Sequence, residues 1–175
     1  MKSISLIGFS GVGKTTVGKI LARKLGLDFI DTDDFIERRY HTGISEMFAS
    51  CGVDKFRKRE QAALIELTQK QGAVLSTGGG LPVYPGNMDL LMNRTTVVYL
   101  RADPEELVRR LALVKETRPL VAGKTEDEIC EYVCFTLPDR ELFYQRAHFT
   151  VDATPLVTEE DAEAVADEII AVLRG

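Results

Sequence analysis

The chain has only two histidines and three cysteines, no long apolar run and no surplus of positive charge. Each shortage removes a class of function. His41 and His148 lack partners at metal-ligand or catalytic-triad spacing, and no Ser/His/Asp or Cys/His hydrolase pattern emerges. Cys51, Cys130 and Cys134 are an odd number. Cys130 and Cys134 share a helical face at i, i+4, but no further cysteine or histidine stands at zinc spacing. Buried or half-buried free thiols in a reducing cytosol are therefore the expectation. No apolar run approaches a membrane span, and Met1-Lys2-Ser3 leads straight into a strand-like run, so neither a spanning helix nor a signal peptide is expected. A net charge of −5 argues against nucleic acid as the main partner. Internal repeats and low-complexity segments are absent too. What remains, 45% hydrophobic and 28% charged residues in a chain of 175, fits a single domain, residues 1–175, around one core.

The informative stretch is Gly8-Phe9-Ser10-Gly11-Val12-Gly13-Lys14-Thr15, which fits Gly-x-x-x-x-Gly-Lys-Ser/Thr. It follows the apolar run Ile4-Ser5-Leu6-Ile7, where a strand should end at Gly8. From Lys14 to Leu25 the apolar residues Val17, Ile20, Leu21 and Leu25 recur at helical spacing. Strand, loop and helix are thus in register for a phosphate-binding loop. An anion there would meet the backbone N–H groups of Gly11, Val12 and Gly13, the positive helix end extending to Thr16, and the Lys14 ammonium. Thr15 supplies the hydroxyl expected on Mg²⁺.

Elsewhere strand and helix alternate, which predicts a parallel sheet covered on both faces. Strands are expected at Ser3–Ile7, Asp28–Asp31, Ala73–Ser76, Thr95–Leu100 and His148–Asp152. A long helix is expected from Asp54 to Gln71, stopped by Gly72. Asp103-Pro104, Thr125-Glu126-Asp127-Glu128 and Thr158-Glu159-Glu160-Asp161 read as capped helix starts. Residues 113–125 lose periodicity and gather Lys115, Arg118, Pro119 and Lys124, which predicts a mobile basic loop.

Ligands of an open parallel sheet bind beyond the carboxyl ends of its strands, so Asp31-Thr32-Asp33-Asp34 should lie beside the phosphate loop. Asp31 suits the metal side and Asp33 the attacking hydroxyl, although Asp31 or Thr32 could instead cap the next helix. Gly78-Gly79-Gly80, after the third strand, would let backbone N–H groups approach a ligand closely. Glu60 falls on an apolar helical stripe with Phe56, Ala63 and Leu64, so it must be paired, and Arg57 at i−3 is available. Arg57, Arg118 and Arg140 exceed what a nucleotide needs and suggest an anionic second substrate, gripped bidentately through a carboxylate.

Taken together, Gly8–Thr15, Asp31-Thr32-Asp33, Phe56-Arg57-x-x-Glu60, Gly78-Gly79-Gly80, Arg118-Pro119-Leu120 and Arg140-x-x-x-Tyr144 resemble the shikimate kinases, and the likeness covers nearly the whole chain. The resemblance implies a three-layer α/β P-loop kinase of the nucleoside-monophosphate-kinase type, with a five-stranded parallel sheet ordered 2-3-1-4-5. It implies transfer of the ATP γ-phosphoryl group to the 3-hydroxyl of shikimate, in aromatic amino-acid biosynthesis. Asp33 would act as base on that hydroxyl. Arg57, Arg140 and the Gly78–Gly80 backbone would hold shikimate, within a binding region spanning about residues 32–60. Lys14 would contact the β- and γ-phosphates, Thr15 the Mg²⁺ and Asp31 the metal through water. Arg118 would arrive on a closing lid, about residues 113–125, and Arg110 would lie against the adenine. Asp54 departs from the family's usual Glu. A cytoplasmic monomer with small-molecule partners is the expectation. Gluconate kinase is the nearest enzyme alternative, disfavoured by Phe56-Arg57-x-x-Glu60 and the triple glycine. A nucleotide-binding module without catalysis is disfavoured by intact Lys14, Asp33 and Arg118.

Overall fold

A computed structural model describes residues 2–115 and 120–175. Its element order is β1 (Ile4–Ile7), α1 (Lys14–Leu25), β2 (Asp28–Asp31), α2 (Thr32–Tyr40), α3 (Ile44–Leu67), β3 (Ala73–Ser76), α4 (Asn87–Arg94), β4 (Thr96–Arg101), α5 (Pro104–Val114), α6 (Glu126–Tyr144), β5 (Phe149–Asp152) and α7 (Glu159–Arg174), with a short 3₁₀ turn at Leu81–Val83. The five strands form one parallel sheet in the order β2-β3-β1-β4-β5, as expected. β1 lies between β3 and β4, Ile4 pairing with Val74 on one side and Thr96 on the other. Its four residues are all buried, three of them apolar with Ser5 between, as expected of a central strand covered on both faces. The edge strands β2 and β5 are more exposed.

The main core joins the sheet to α1, α5, α6 and α7. A satellite core of Ile36, Met47, Phe56 and Ala63 fastens α2 to α3. Capping boxes open α6 (Thr125 with Glu128) and α7 (Thr158 with Asp161), as their sequences predict. Asp103 also stands at a helix start, but its side chain makes no capping bond; Pro104 supplies the preset first turn.

Two expectations are corrected here. The long helix runs Ile44–Leu67, not Asp54–Gln71, with a break at Gly52 (φ 78°, ψ 166°) that hides its first part from a periodicity reading. Past Leu67 the backbone tightens to three-residue turns, Gln69 N–H donating to Glu66 (3.1 Å) and Lys70 N–H to Leu67 (3.1 Å), while the Thr68 hydroxyl bonds back to the carbonyls of Leu64 (2.9 Å) and Ile65 (3.2 Å). Cys51 is half-buried, but Cys130 and Cys134 are exposed. The inward face of α6 is taken by Ile129, Val133, Leu137 and Tyr144, leaving both thiols outside. The expected lid overlaps residues 116–119, so its central part, with Arg118, lies outside the described residues.

Gly8 closes β1 at φ 145°, where an added Cβ would stand 2.5 Å from the Leu100 carbonyl oxygen of β4. The obstacle is backbone in the middle of the sheet and cannot swing aside. Gly8→Ala is expected to cost about 2–4 kcal/mol, combining positive-φ strain with overpacking. Chemical denaturation would read the loss, and an unchanged midpoint would contradict it.

Candidate active site

The P-loop connects β1 to α1 over the carboxyl edge of the sheet. Lys14 is buried, and its ammonium donates to the carbonyls of Gly8 and Phe9, each at 2.8 Å. The side chain therefore folds across the loop and spans it. Thr15, one residue on, donates its hydroxyl to Asp31 Oδ2 at 2.9 Å, with Ser76 Oγ at 3.4 Å. Asp31 divides its two oxygens. Oδ1 accepts from the backbone N–H of Asp33 (3.0 Å) and Asp34 (3.5 Å), capping α2, while Oδ2 meets Thr15. The cap and the metal-side placement are thus compatible in one residue. Thr32 is not the cap; its buried hydroxyl accepts from the Gly78 N–H at 3.1 Å and ties the start of α2 to the triple glycine.

The glycines serve a purpose beyond presenting N–H groups. A Cβ at Gly78 would lie 3.0 Å from Asp33 Oδ1 and 3.2 Å from Glu60 Oε1. At Gly79 it would lie 3.1 Å from Arg140 Nη1, and at Gly80 2.3 Å from Arg57 Nη2. Three successive residues without side chains make room for four groups, one from α2, two from α3 and one from α6. The buried Tyr144 hydroxyl donates to the Gly79 carbonyl and fixes the segment from below.

Arg57 and Arg140 are held differently. Arg57 Nη1 donates to Glu60 Oε2 at 2.6 Å. Arg140 stacks over the Phe9 ring of the P-loop at 5.2 Å and reaches the Tyr132 hydroxyl at 3.5 Å. Glu60 is 1% exposed. Burial pushes its carboxyl up to about 7; the Arg57 charge opposes this, Asp33 adds to it and Arg140 opposes it.

Two cavities open here. One, about 400 Å³, lies over the P-loop and is lined by Gly11, Gly13, Lys14, Thr15, Thr16 and Asp31. The smaller lies beyond Gly78–Gly80 and is lined by Arg57, Glu60, Arg140 and an apolar wall including Ile44, Phe48 and Leu120. Ser10, Asp33, Gly78 and Gly79 belong to both. Asp33 is the one acidic residue common to the two linings among the described residues.

Among the expected nucleotide-side residues, Val12 turns its side chain into the core, leaving only its backbone to the loop. Arg110 reaches the wall of the P-loop cavity but is largely buried. It donates to the carbonyls of Val12 (3.2 Å), Ala153 (2.9 Å) and Thr154 (2.7 Å), and to Glu106 (2.8 Å). Arg109 also grips Glu106, and the two arginines hold that carboxyl down at about 2. Sequence reasoning missed Glu106, Ser76 and Tyr132. Each sits at an ordinary helix or strand position, and only the folded contacts single it out.

The family model for shikimate kinase matches residues 10–174. The chain belongs to the shikimate kinase family. It is 40% identical over 173 residues to a shikimate kinase from Parabacteroides distasonis, covering 99% of this chain and 100% of that one. A shikimate kinase from Azobacteroides pseudotrichonymphae is 50% identical over 148 residues, covering 84% and 87%. The crystal structure of shikimate kinase from Bacteroides thetaiotaomicron superposes with a TM-score of 0.95 at 36% identity, covering 99% of both chains. That of the Acinetobacter baumannii enzyme, in complex with shikimate, gives 0.85 at 33%, covering 99% and 93%. A gluconokinase from Sinorhizobium meliloti reaches 0.58 at 19% identity, covering 99% and 95%, and shares the fold alone.

Glu60 gives this family member a built-in pH dependence of stability. Its folded-state pKa of about 7 lies above the ordinary 4.5, so the folded protein holds the proton more tightly than the unfolded chain. Its stabilising contribution is complete below about pH 4.5 and disappears as pH rises through 7. Glu60→Gln, which cannot ionise, should therefore gain on wild type between pH 5 and pH 8, by up to about 3 kcal/mol. Denaturation midpoints at the two pH values check this; a difference independent of pH would refute it.

Proposed function

We propose that this shikimate kinase family member transfers the γ-phosphoryl group of ATP to the 3-hydroxyl of shikimate, a step of aromatic amino-acid biosynthesis. The observation that carries the reading is the position of Asp33, on the shared boundary of the P-loop cavity and the arginine-lined cavity. A phosphoryl donor on one side and an acceptor hydroxyl on the other would meet at this carboxylate.

The donor side would hold ATP. Backbone N–H groups of Gly11, Val12 and Gly13, with Thr16 at the helix start, would cradle the phosphates. Lys14 would exchange the Gly8 and Phe9 carbonyls for the β- and γ-phosphates. The Arg110 edge already engages three backbone carbonyls and the Glu106 carboxylate, so the face of its guanidinium is what it would offer an adenine ring. The hydroxyl of Thr15 and Asp31 Oδ2, with Ser76 beside them, are hard oxygen donors of the kind Mg²⁺ prefers. Thr15 would ligate the ion directly and Asp31 through water. When bound, Mg²⁺ neutralises charge on the transferring group. Arg118 would approach the γ-phosphoryl group on a closing lid, adding a cation where charge develops.

On the acceptor side, Arg57 and Arg140 would take the carboxylate, the Gly78–Gly80 backbone would line the ring, and Asp33 would align the attacking hydroxyl and receive its proton. Phosphoryl transfer needs mainly this positioning and charge stabilisation. An ATP-consumption assay that releases ADP with shikimate, but not with gluconate, tests the reading directly.

Asp33→Asn should lower turnover roughly 10²–10⁴-fold while ATP binding and the fold stay intact. If Asp33 served only the helix start, asparagine would substitute well. Near-wild-type turnover would therefore remove Asp33 from the mechanism.

Arg57→Ala should weaken shikimate binding by about 1.5–3 kcal/mol, the worth of hydrogen bonds to a charged group. Gly80→Ala should act on the same parameter without touching a charge, because its methyl group would collide with Arg57 Nη2. Steady-state kinetics should show KM for shikimate rising in both, with KM for ATP little changed. Wild-type KM for shikimate in both variants would dismiss the arginine grip.

A further inference from the structure

Glu60 is the buried acid of the acceptor cavity to which the mechanism above assigns no step. It reaches the cavity from α3, where Arg57 is its ion-pair partner. From α2 Asp33 faces it, and from α6 come Arg140 and the Tyr132 hydroxyl. The segment after β3 adds only backbone there, since residues 78–80 are glycines. With both acids ionised, the cluster holds two negative and two positive charges among the described residues: Asp33 and Glu60 against Arg57 and Arg140.

A substrate carboxylate bound between the arginines would leave these partly buried groups with a net charge of −1. An uncompensated charge away from water is costly, and the cheapest remedy is a proton on the least solvated acid. Glu60, 1% exposed, is that acid. The Arg57 fork favours the same acid. Glu60 already occupies one edge of the Arg57 fork at 2.6 Å. Once neutral, it holds that guanidinium less firmly, and the fork can turn to the incoming carboxylate.

We propose that the carboxylate substrate is bound together with one proton, taken from solvent onto a Glu60 side-chain oxygen and returned when the product leaves. This rests on the acceptor reading above. Burial that already lifts the Glu60 carboxyl to about 7 sets the range in which uptake is visible, from neutral pH upward. Affinity for the acid should then fall as pH rises past 7, approaching tenfold per unit where uptake is complete. Shikimate's own carboxylate stays ionised throughout this range and contributes nothing to the slope.

The test is titration calorimetry of the full chain with shikimate at pH 8, without nucleotide, in buffers of different ionisation enthalpy. The expected result is uptake of about half a proton or more per shikimate bound. Uptake should vanish in Glu60→Gln and shrink in Asp33→Asn, which removes one negative charge from the cluster and one of the influences raising Glu60. Binding with no proton exchange, or with release, overturns the proposal alone, as does uptake that survives Glu60→Gln. No binding of shikimate at all overturns the functional reading and this proposal with it. Should Glu60→Gln fail to fold, infrared difference spectra of wild type replace it: shikimate must raise a carboxylic-acid carbonyl band, and its absence overturns the proposal.

Discussion

The site depends on a steric constraint: three consecutive positions after β3 carry no side chain. Asp33 from α2, Glu60 and Arg57 from α3 and Arg140 from α6 all approach the backbone of Gly78–Gly80 to distances that a single methyl group would contest. Charges of both signs can converge there only because the chain between them is bare. Tyr144 beneath Gly79 and Thr32 beside Gly78 then hold that bare segment in place, which compensates for the freedom glycine brings.

From this constraint the division of labour follows. Gly78 and Gly79 form the partition between two cavities, with Asp33 and Ser10 at its edge. On the P-loop side, the groups are a lysine, hydroxyls and a carboxylate, suited to phosphate and a hard cation. Beyond the partition stand two arginines facing an apolar wall, suited to a small cyclic acid. The arginines are immobilised by different means, one by a buried acid and the other by an aromatic ring of the P-loop. Replacing either by lysine would keep the charge and lose the plane.

Much of this was legible in the sequence where the cause is local. The P-loop spacing, the β-branched run of β4, the threonine capping boxes and the i, i+3 relation of Arg57 to Glu60 each depend on a few adjacent residues. What escaped depends on contacts between distant ones. The first part of α3 was hidden because Gly52 interrupts the helical phase while the chain resumes a helix beyond it. The outward thiols of α6 follow from which of its faces the core claims. Arg110 is singled out only through the resemblance, and its bonds to the carbonyls of Val12, Ala153 and Thr154 could not be read from its place in a helix. The triple glycine reads as a ligand-approach segment, but the room it makes for side chains could be seen only by knowing which ones arrive.

The break at Gly52 divides α3 into two stretches with separate duties. The earlier one brings Ile44 and Phe48 to the apolar wall, and the later one brings Arg57 and Glu60 to the charged side. A ring contact between Phe48 and Phe56, 4.5 Å between centroids, joins them across the break. An added Cβ at Gly52 would meet nothing within 4 Å. The charged lining residues of this helix, Arg57 and Glu60, thus both follow the break, while its apolar lining residues, Ile44, Phe48 and Phe56, fall on both sides of it. A lineage, or a protein engineer, can reshape the part of the apolar wall formed by Ile44 and Phe48 by altering the first stretch while leaving Arg57 and Glu60 in place.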